Sequence, residues 1–260
     1  MRVEAERNYV EHMRWDEVAR RIDAGAAAIL PVGAGAKQHG LHLPLDTDRI
    51  EAEYLSSELA GHIDALIWPT LTYGHYPAFA EYAGSISLSA ATFEAMVAEI
   101  ASGILGHGGR ALFVLDTGIS TRAVIERALA RLEAGNTLHL KTHEGPRYRR
   151  AAAALARQGH GGHADELETS LMLAIAPDVV EMSRAEASPA IAQAVPGRLT
   201  RSDEASPNYS PSGSFGDPTL ATLEKGTALL AAMLDDLNEQ AAAFMASLSG
   251  AAGQVRGSGS

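Results

Sequence analysis

Two histidines and two aspartates fall within ten residues of the stretch Lys37-Gln38-His39-Gly40-Leu41-His42-Leu43-Pro44-Leu45-Asp46-Thr47-Asp48. Imidazole and carboxylate are the donor types that zinc and manganese favour, and Gly40 and Pro44 hold the segment in a loop. The competing reading is a polar loop whose histidines only bond the backbone. That reading would win for a lone histidine and loses ground to a cluster of four donors. A second group runs His160-Gly161-Gly162-His163-Ala164-Asp165-Glu166-Leu167-Glu168-Thr169-Ser170. It reads as the glycine-loosened start of a helix, where the helix dipole stabilises acids. His163 and Glu166 are three residues apart and share a helix face, as do Asp165 and Glu168. Capping plus solvated acids is the competing reading there. Neither group fits a nucleotide loop. Gly33-Ala34-Gly35 lacks the third glycine of a dinucleotide fingerprint, and no Gly-Lys-Ser/Thr follows.

The elements that must position these groups alternate. Apolar runs at 27–32, 65–71, 109–115 and 137–142 read as strands, the second weakened at its end by Pro69. Helical spacing covers 15–24, 47–62, 90–107, 121–134 and 164–176, where Pro177 stops it. A last helix is expected over 219–248, opened by Asp217-Pro218. Alternation of this kind predicts an α/β fold with a mainly parallel sheet covered on both faces. The first histidine cluster then follows the first strand directly, where open α/β sheets place their ligands. Residues 183–217 are rich in Ser, Pro, Gly and Ala, and are expected to form an ordered lid or interface arm rather than a linker. With no repeat and no boundary visible, one domain is expected over 1–250. The remainder, 251–260, ends in Gly-Ser-Gly-Ser and is expected to be a flexible tail.

Composition narrows the partners. A formal charge of −11 argues against tracking a phosphate backbone, so no nucleic-acid partner is expected. Arg147, Arg149 and Arg150 form the one tight basic cluster and read as a solvated face. With no cysteine in the chain, thiolate nucleophiles, disulfides and Cys-based zinc sites are excluded. No apolar run nears the roughly 20 residues that span a bilayer, and the N-terminus shows no secretory signal. A cytoplasmic protein without a membrane partner is the resulting expectation.

The order of these motifs resembles the creatininase (creatinine amidohydrolase) family. LPVGAGAKQHGLHLPLDTD, residues 30–48, is similar to the family's strand followed by Glu-Gln-His-Gly-x-His-Leu-Pro and Thr-Asp. HADELETSLMLAIAPDVVEM, residues 163–182, is similar to its His-Ala-x-x-x-Glu-Thr-Ser and Leu-rich helix. Tyr73-Gly74-His75, the stretch 84–88 and the stretch 213–226 match the intervening and closing segments, so the likeness spans about 200 residues in order. The resemblance implies a three-layer α/β/α sandwich, often hexameric, with a two-metal centre that hydrolyses cyclic amides, formamides or a peptide bond.

Two departures stand out against that resemblance. Lys37 replaces the family's metal-binding Glu, with one extra residue in the loop before it, and Asp116-Thr117-Gly118 replaces Asn-Gly-His. By analogy both lost ligands serve one metal. His39, the bridging Asp48 and an acid of the second cluster serve the other; Glu168 is taken as that acid, with Glu166 left open. The expectation is therefore one divalent ion per chain rather than two, zinc or manganese with iron a further option, and Lys37 beside the vacated position. Lys37 would stabilise an oxyanion, His163 or Glu166 would handle protons, and the substrate would be a small molecule with a C–N bond other than creatinine itself. Asp116 acting as a replacement ligand is the competing reading of the second departure. Two rival functions are a lyase or isomerase using Lys37 as base or Schiff-base former, and a catalytically degenerate binding or assembly protein.

Overall fold

The computed structural model of the chain describes residues 6–132, 134–189 and 197–257. Of the expected tail, 258–260 lie outside the described residues, as does 190–196 within the expected lid.

Four strands form one parallel sheet: β1 (Ala27–Val32), β2 (Ala65–Ile67), β3 (Leu112–Asp116) and β4 (Thr137–Lys141), in the order β2-β1-β3-β4. Strand parity explains the layers. Alternate residues of a strand face opposite sides of a sheet. Ala27, Ile29, Phe113 and Leu115 thus fall into one core while Ala28, Leu30, Val32, Leu112 and Val114 fall into the other. The first core is closed by α2 (Thr47–His62), α5 (Pro146–Leu155), α6 (Glu166–Ile175) and α7 (Leu223–Gly257). The second is closed by α3 (Ala90–Gly106), through Phe93, Val97, Ala101 and Ile104, and by α4 (Arg122–Ala130), through Val124, Ile125 and Ala128. A further helix, α1 (Trp15–Asp23), precedes β1. Burial on both faces is why β1 and β3 read as unbroken apolar runs. The α/β expectation holds.

The helix α5 was not foreseen in the arginine-rich stretch. Pro146 at its first position pre-sets the backbone. The buried Asp236 of α7 then accepts hydrogen bonds from Arg147 N (3.2 Å) and Tyr148 N (2.9 Å), satisfying two amides that the helix itself cannot. Arg147 also pairs with Asp236 and Glu239, so this part of the basic cluster is an anchor.

The sheet's strand order reverses between β1 and β3. The loops leaving those two strands therefore diverge at the carboxyl edge, and a crevice opens there. Described parts of 183–217 lie across this edge. Leu199 N donates to Ala78 O (3.0 Å), Tyr82 Oη to Ser210 O (2.7 Å), and Phe215 pairs with His163 in an antiparallel bridge.

Candidate metal centre

Three chain segments build the site. The loop after β1 is pressed against the first turn of α2: Arg49 N donates to Ala34 O (3.2 Å), and a Cβ on Gly33 would stand 2.3 Å from Asp48 O. Only glycine permits that approach, and the approach places Asp48 under the loop. The second segment is the start of α6, where Asp165 caps the helix by accepting from Leu167 N (2.9 Å) and Glu168 N (3.0 Å). Ala164, just before it, has φ of 46°, a conformation that costs a non-glycine residue about 1 kcal/mol or more. Its amide donates to Glu168, so the turn aims that carboxylate back toward His163. The third segment, 210–216, braces the other two: Gln38 Nε2 donates to Gly213 O (2.9 Å), and Phe215 N to His163 O (2.7 Å).

His39 and His163 lie with ring centroids 4.9 Å apart, and both are buried. His39 Nδ1–H donates to Lys37 O (2.8 Å), which leaves Nε2 as the atom facing the site. His163 Nε2–H donates to Gln38 O (2.7 Å), which leaves Nδ1. His39, His163 and Glu168 each offer one donor atom, and these three atoms lie within 4.8 Å of one another. Individual separations are 3.7 Å from His39 Nε2 to Glu168 Oε1 and 3.8 Å from His163 Nδ1 to Glu168 Oε2. Ligand atoms on one zinc ion, at about 2.1 Å from it, stand roughly 3.0–3.4 Å apart, so small side-chain movements would close this set on a cation. Backbone carbonyls that fix the tautomer are the usual outer partners of metal-bound imidazoles. The donor set fits a divalent metal.

Asp48, 1% exposed, flanks the set. Its Oδ1 is 3.0 Å from His39 Nε2 and its Oδ2 is 2.6 Å from Lys37 Nζ. Burial opposes ionisation of Asp48, but Lys37 and His39 outweigh it and hold the carboxyl far below the usual range. The Lys37 ammonium is walled by Phe79 and Tyr76, at 5.1 and 5.8 Å from the ring centroids. Burial pushes Glu168 up, partly offset by His39 and Lys37. Burial and the neighbouring His39 push His163 well below an ordinary imidazole, so it is a neutral donor at pH 7.

Other expected residues stand elsewhere. Glu166 is fully buried behind the site: its Oε2 accepts from Arg157 N and Gln158 N (both 2.8 Å), and its Oε1 holds Lys225. Asp116 accepts from Gly118 N (3.0 Å) and Thr121 Oγ1 (2.8 Å) and faces His139 Nε2 (3.2 Å), apart from the three-donor set. His42 shares a hydrogen bond with Thr169 (2.8 Å), tying the first loop to α6; burial and His39 bring it down to about 4. The sequence reading missed Glu51 and His143, whose facing atoms are 3.5 Å apart. The signal for Glu51 was its place one turn beyond Asp48 on α2. His143 carried none, since it comes from the end of a different strand. A cavity of about 830 Å³ opens over the centre, lined by Lys37, Phe79, His143, His163, Glu168 and Phe215 among others.

A parallel α/β sheet with two imidazoles and a carboxylate converging at its carboxyl edge is a scaffold that carries a candidate divalent-metal site. The chain belongs to the creatininase family: the family profile described as creatinine amidohydrolase matches residues 11–241, and with that match goes membership of the metal-dependent amidohydrolases. Among relatives, the chain is 32% identical over 220 residues to the mycofactocin precursor peptide peptidase of Mycobacterium ulcerans (strain Agy99), covering 80% of this chain and 81% of that one. It is 29% identical over 202 residues to the creatinine amidohydrolase of Pseudomonas putida, covering 68% and 75% respectively. A solved mutant creatininase of Zn-Zn type superposes with a TM-score of 0.76 at 25% identity, over 89% of this chain and 96% of that one. That pair of metals corrects the expectation of a single ion per chain. The expectation counted donors at two sequence positions, whereas an ion's shell is filled by whatever donors the fold brings together. No helix among the described residues is long and apolar enough to cross a membrane.

Proposed function

We propose that this enzyme hydrolyses an amide C–N bond in a small molecule, with a divalent metal held by His39, His163 and Glu168 beside Asp48. One observation carries the reading: both imidazoles give one N–H to a backbone carbonyl, of Lys37 and Gln38, which leaves His39 Nε2 facing Asp48 (3.0 Å) and Glu168 (3.7 Å) and His163 Nδ1 facing Glu168 (3.8 Å). Ligation by His163 is favoured over the proton-handling role expected from the sequence. A bound zinc or manganese ion would supply Lewis acidity, polarising a carbonyl and lowering the pKa of water. Lys37 lines the cavity with its charge fixed by Asp48, a position suited to a developing oxyanion. A Schiff base on Lys37 would first have to break that ion pair, which weighs against the lyase reading. Glu166, bonded to two amides and an ammonium, is assigned to holding α6 against α7. The cavity exceeds what a cyclic amide fills, so substrates extending beyond the scissile bond are included. A cytoplasmic homo-oligomer, hexameric by family resemblance, completes the proposal.

The test is removal of metal by chelation, followed by assay of cyclic amides, N-formyl compounds and short peptides with and without added Zn²⁺ or Mn²⁺. Turnover that vanishes with the metal and returns with it is expected. His39→Ala is expected to lower bound metal and abolish that return. Turnover indifferent to chelation would refute the reading.

A further inference from the structure

Three of the chain's five phenylalanines, Phe93, Phe113 and Phe244, pack in or against the two cores. The other two, Phe79 and Phe215, belong to neither core, and both line the cavity over the metal centre. Ile119 lines it as well, one residue after Gly118, and is 63% exposed. Large apolar side chains that are left out of a core and gathered at one opening mark a surface that a ligand covers.

Both phenylalanines are fixed to His163. The Phe79 ring meets its imidazole with centroids 4.2 Å apart. Phe215 exchanges backbone hydrogen bonds with it, donating to His163 O (2.7 Å) and accepting from His163 N (3.3 Å). A substrate that brought its scissile amide to the metal would therefore lay the adjoining group against these walls. Polar groups of the same lining are already committed. Ser120 Oγ donates to His75 O (2.8 Å), and His160 Nε2 shares a hydrogen bond with Ser188 Oγ (3.0 Å). Gln158 Nε2 donates to Asp165 Oδ2 (2.7 Å), while its Oε1 accepts from Glu166 N (3.2 Å) and Asp217 N (3.0 Å). Turning any of these to a ligand breaks a bond within the protein, whereas apolar side chains have no such partner to give up.

We propose that the substrate carries a bulky apolar group next to the scissile C–N bond, and that Phe79, Phe215 and Ile119 select it. This rests on the hydrolytic reading proposed above and names the kind of substrate which that reading leaves open. The amide is handled at the polar end of the cavity, by the metal-holding residues and Lys37. The apolar group leaves water against side chains that belong to neither core, so its transfer energy goes to binding. Ile119, the most exposed of the three, loses the most contact with water when the group arrives.

The test uses matched compounds that differ by one phenyl ring: the N-formyl amides of phenylalanine and alanine, and the cyclic dipeptides of glycine with each. Calorimetric titration of the metal-free protein reads binding without hydrolysis, and kcat/KM is measured on protein loaded with Zn²⁺ or Mn²⁺. The phenyl member of a pair is expected to bind about 10- to 100-fold more tightly, the discrimination that burying one such group supplies, and to show a kcat/KM higher by a similar factor. Ile119→Ser and Phe215→Ala are each expected to cut that preference by about fivefold or more. Circular dichroism and metal content at wild-type levels would show that neither the fold nor the metal centre has been lost in these variants. No preference in either measurement, or a preference that both variants leave unchanged, would overturn this inference and leave the metal centre standing. A binding preference lost in the variants, with no turnover of any compound by metal-loaded wild type, would keep the selecting residues and overturn the hydrolytic reading.

Discussion

Removing the Glu166 carboxylate should unfold the protein more readily without touching its chemistry. Glu166 is fully buried, and its partner Lys225 is 7% exposed. One carboxylate oxygen takes two amides, of Arg157 and Gln158, while the other holds the ammonium. Lys225 in turn donates to Leu220 O (2.7 Å), so the pair joins the start of α6, the segment before it and the start of α7. Breaking a buried pair by deleting one partner costs about 3–5 kcal/mol, because the remaining charge stays desolvated. For a chain of this size each kcal/mol lowers Tm by roughly 2–4 °C, so Glu166→Leu should fall by about 6–20 °C. Lys225→Met should cost a similar amount, and the double variant Glu166→Leu with Lys225→Met should recover much of the loss, since an apolar pair strands no charge. Thermal and urea unfolding of the four proteins measure the cycle, and turnover of metal-loaded Glu166→Gln is assayed well below its Tm. A Glu166→Gln protein within about 1 kcal/mol of wild type but more than a hundredfold slower would show that Glu166 moves a proton, and the structural assignment would fall.

Other substitutions probe single features. Asp236→Ala removes the acceptor for two amides at the start of α5 and an ion pair to Arg147. A loss of about 1–3 kcal/mol in urea unfolding is expected, with Asp236→Asn intermediate; no change would mean that α5 needs no cap. Gly226→Ala places a Cβ 1.8 Å from Ser170 O, between α6 and α7. Those helices must part, at about 2 kcal/mol or more, and retained wild-type Tm would contradict the close approach. Lys37→Met should reduce kcat/KM by about 10²-fold, the usual effect of losing one oxyanion donor. Metal content should not fall with it; a Lys37→Met protein with undiminished turnover would remove Lys37 from the chemistry.

Much of the architecture was legible one residue at a time. The strand 27–32 and the helix 47–62 coincide with β1 and α2, because apolar runs and 3.6-residue spacing are properties of contiguous sequence. Pro69 ended β2 early, and Pro177 ended α6, for the same local reason. The fold class, the family and the two histidine-bearing segments followed from such signals. Proximity did not. That Glu168 turns toward His163 depends on the strained Ala164 and the Asp165 cap; that Glu166, two residues earlier, turns away depends on Lys225, 59 residues further along. Glu51 and His143 come from different elements and meet only because the sheet brings the end of β4 beside α2. The expected metal count failed for this reason. Ligand type is written in the residue, but a coordination shell is a set of distances in space, and the packing of helices on the sheet sets them.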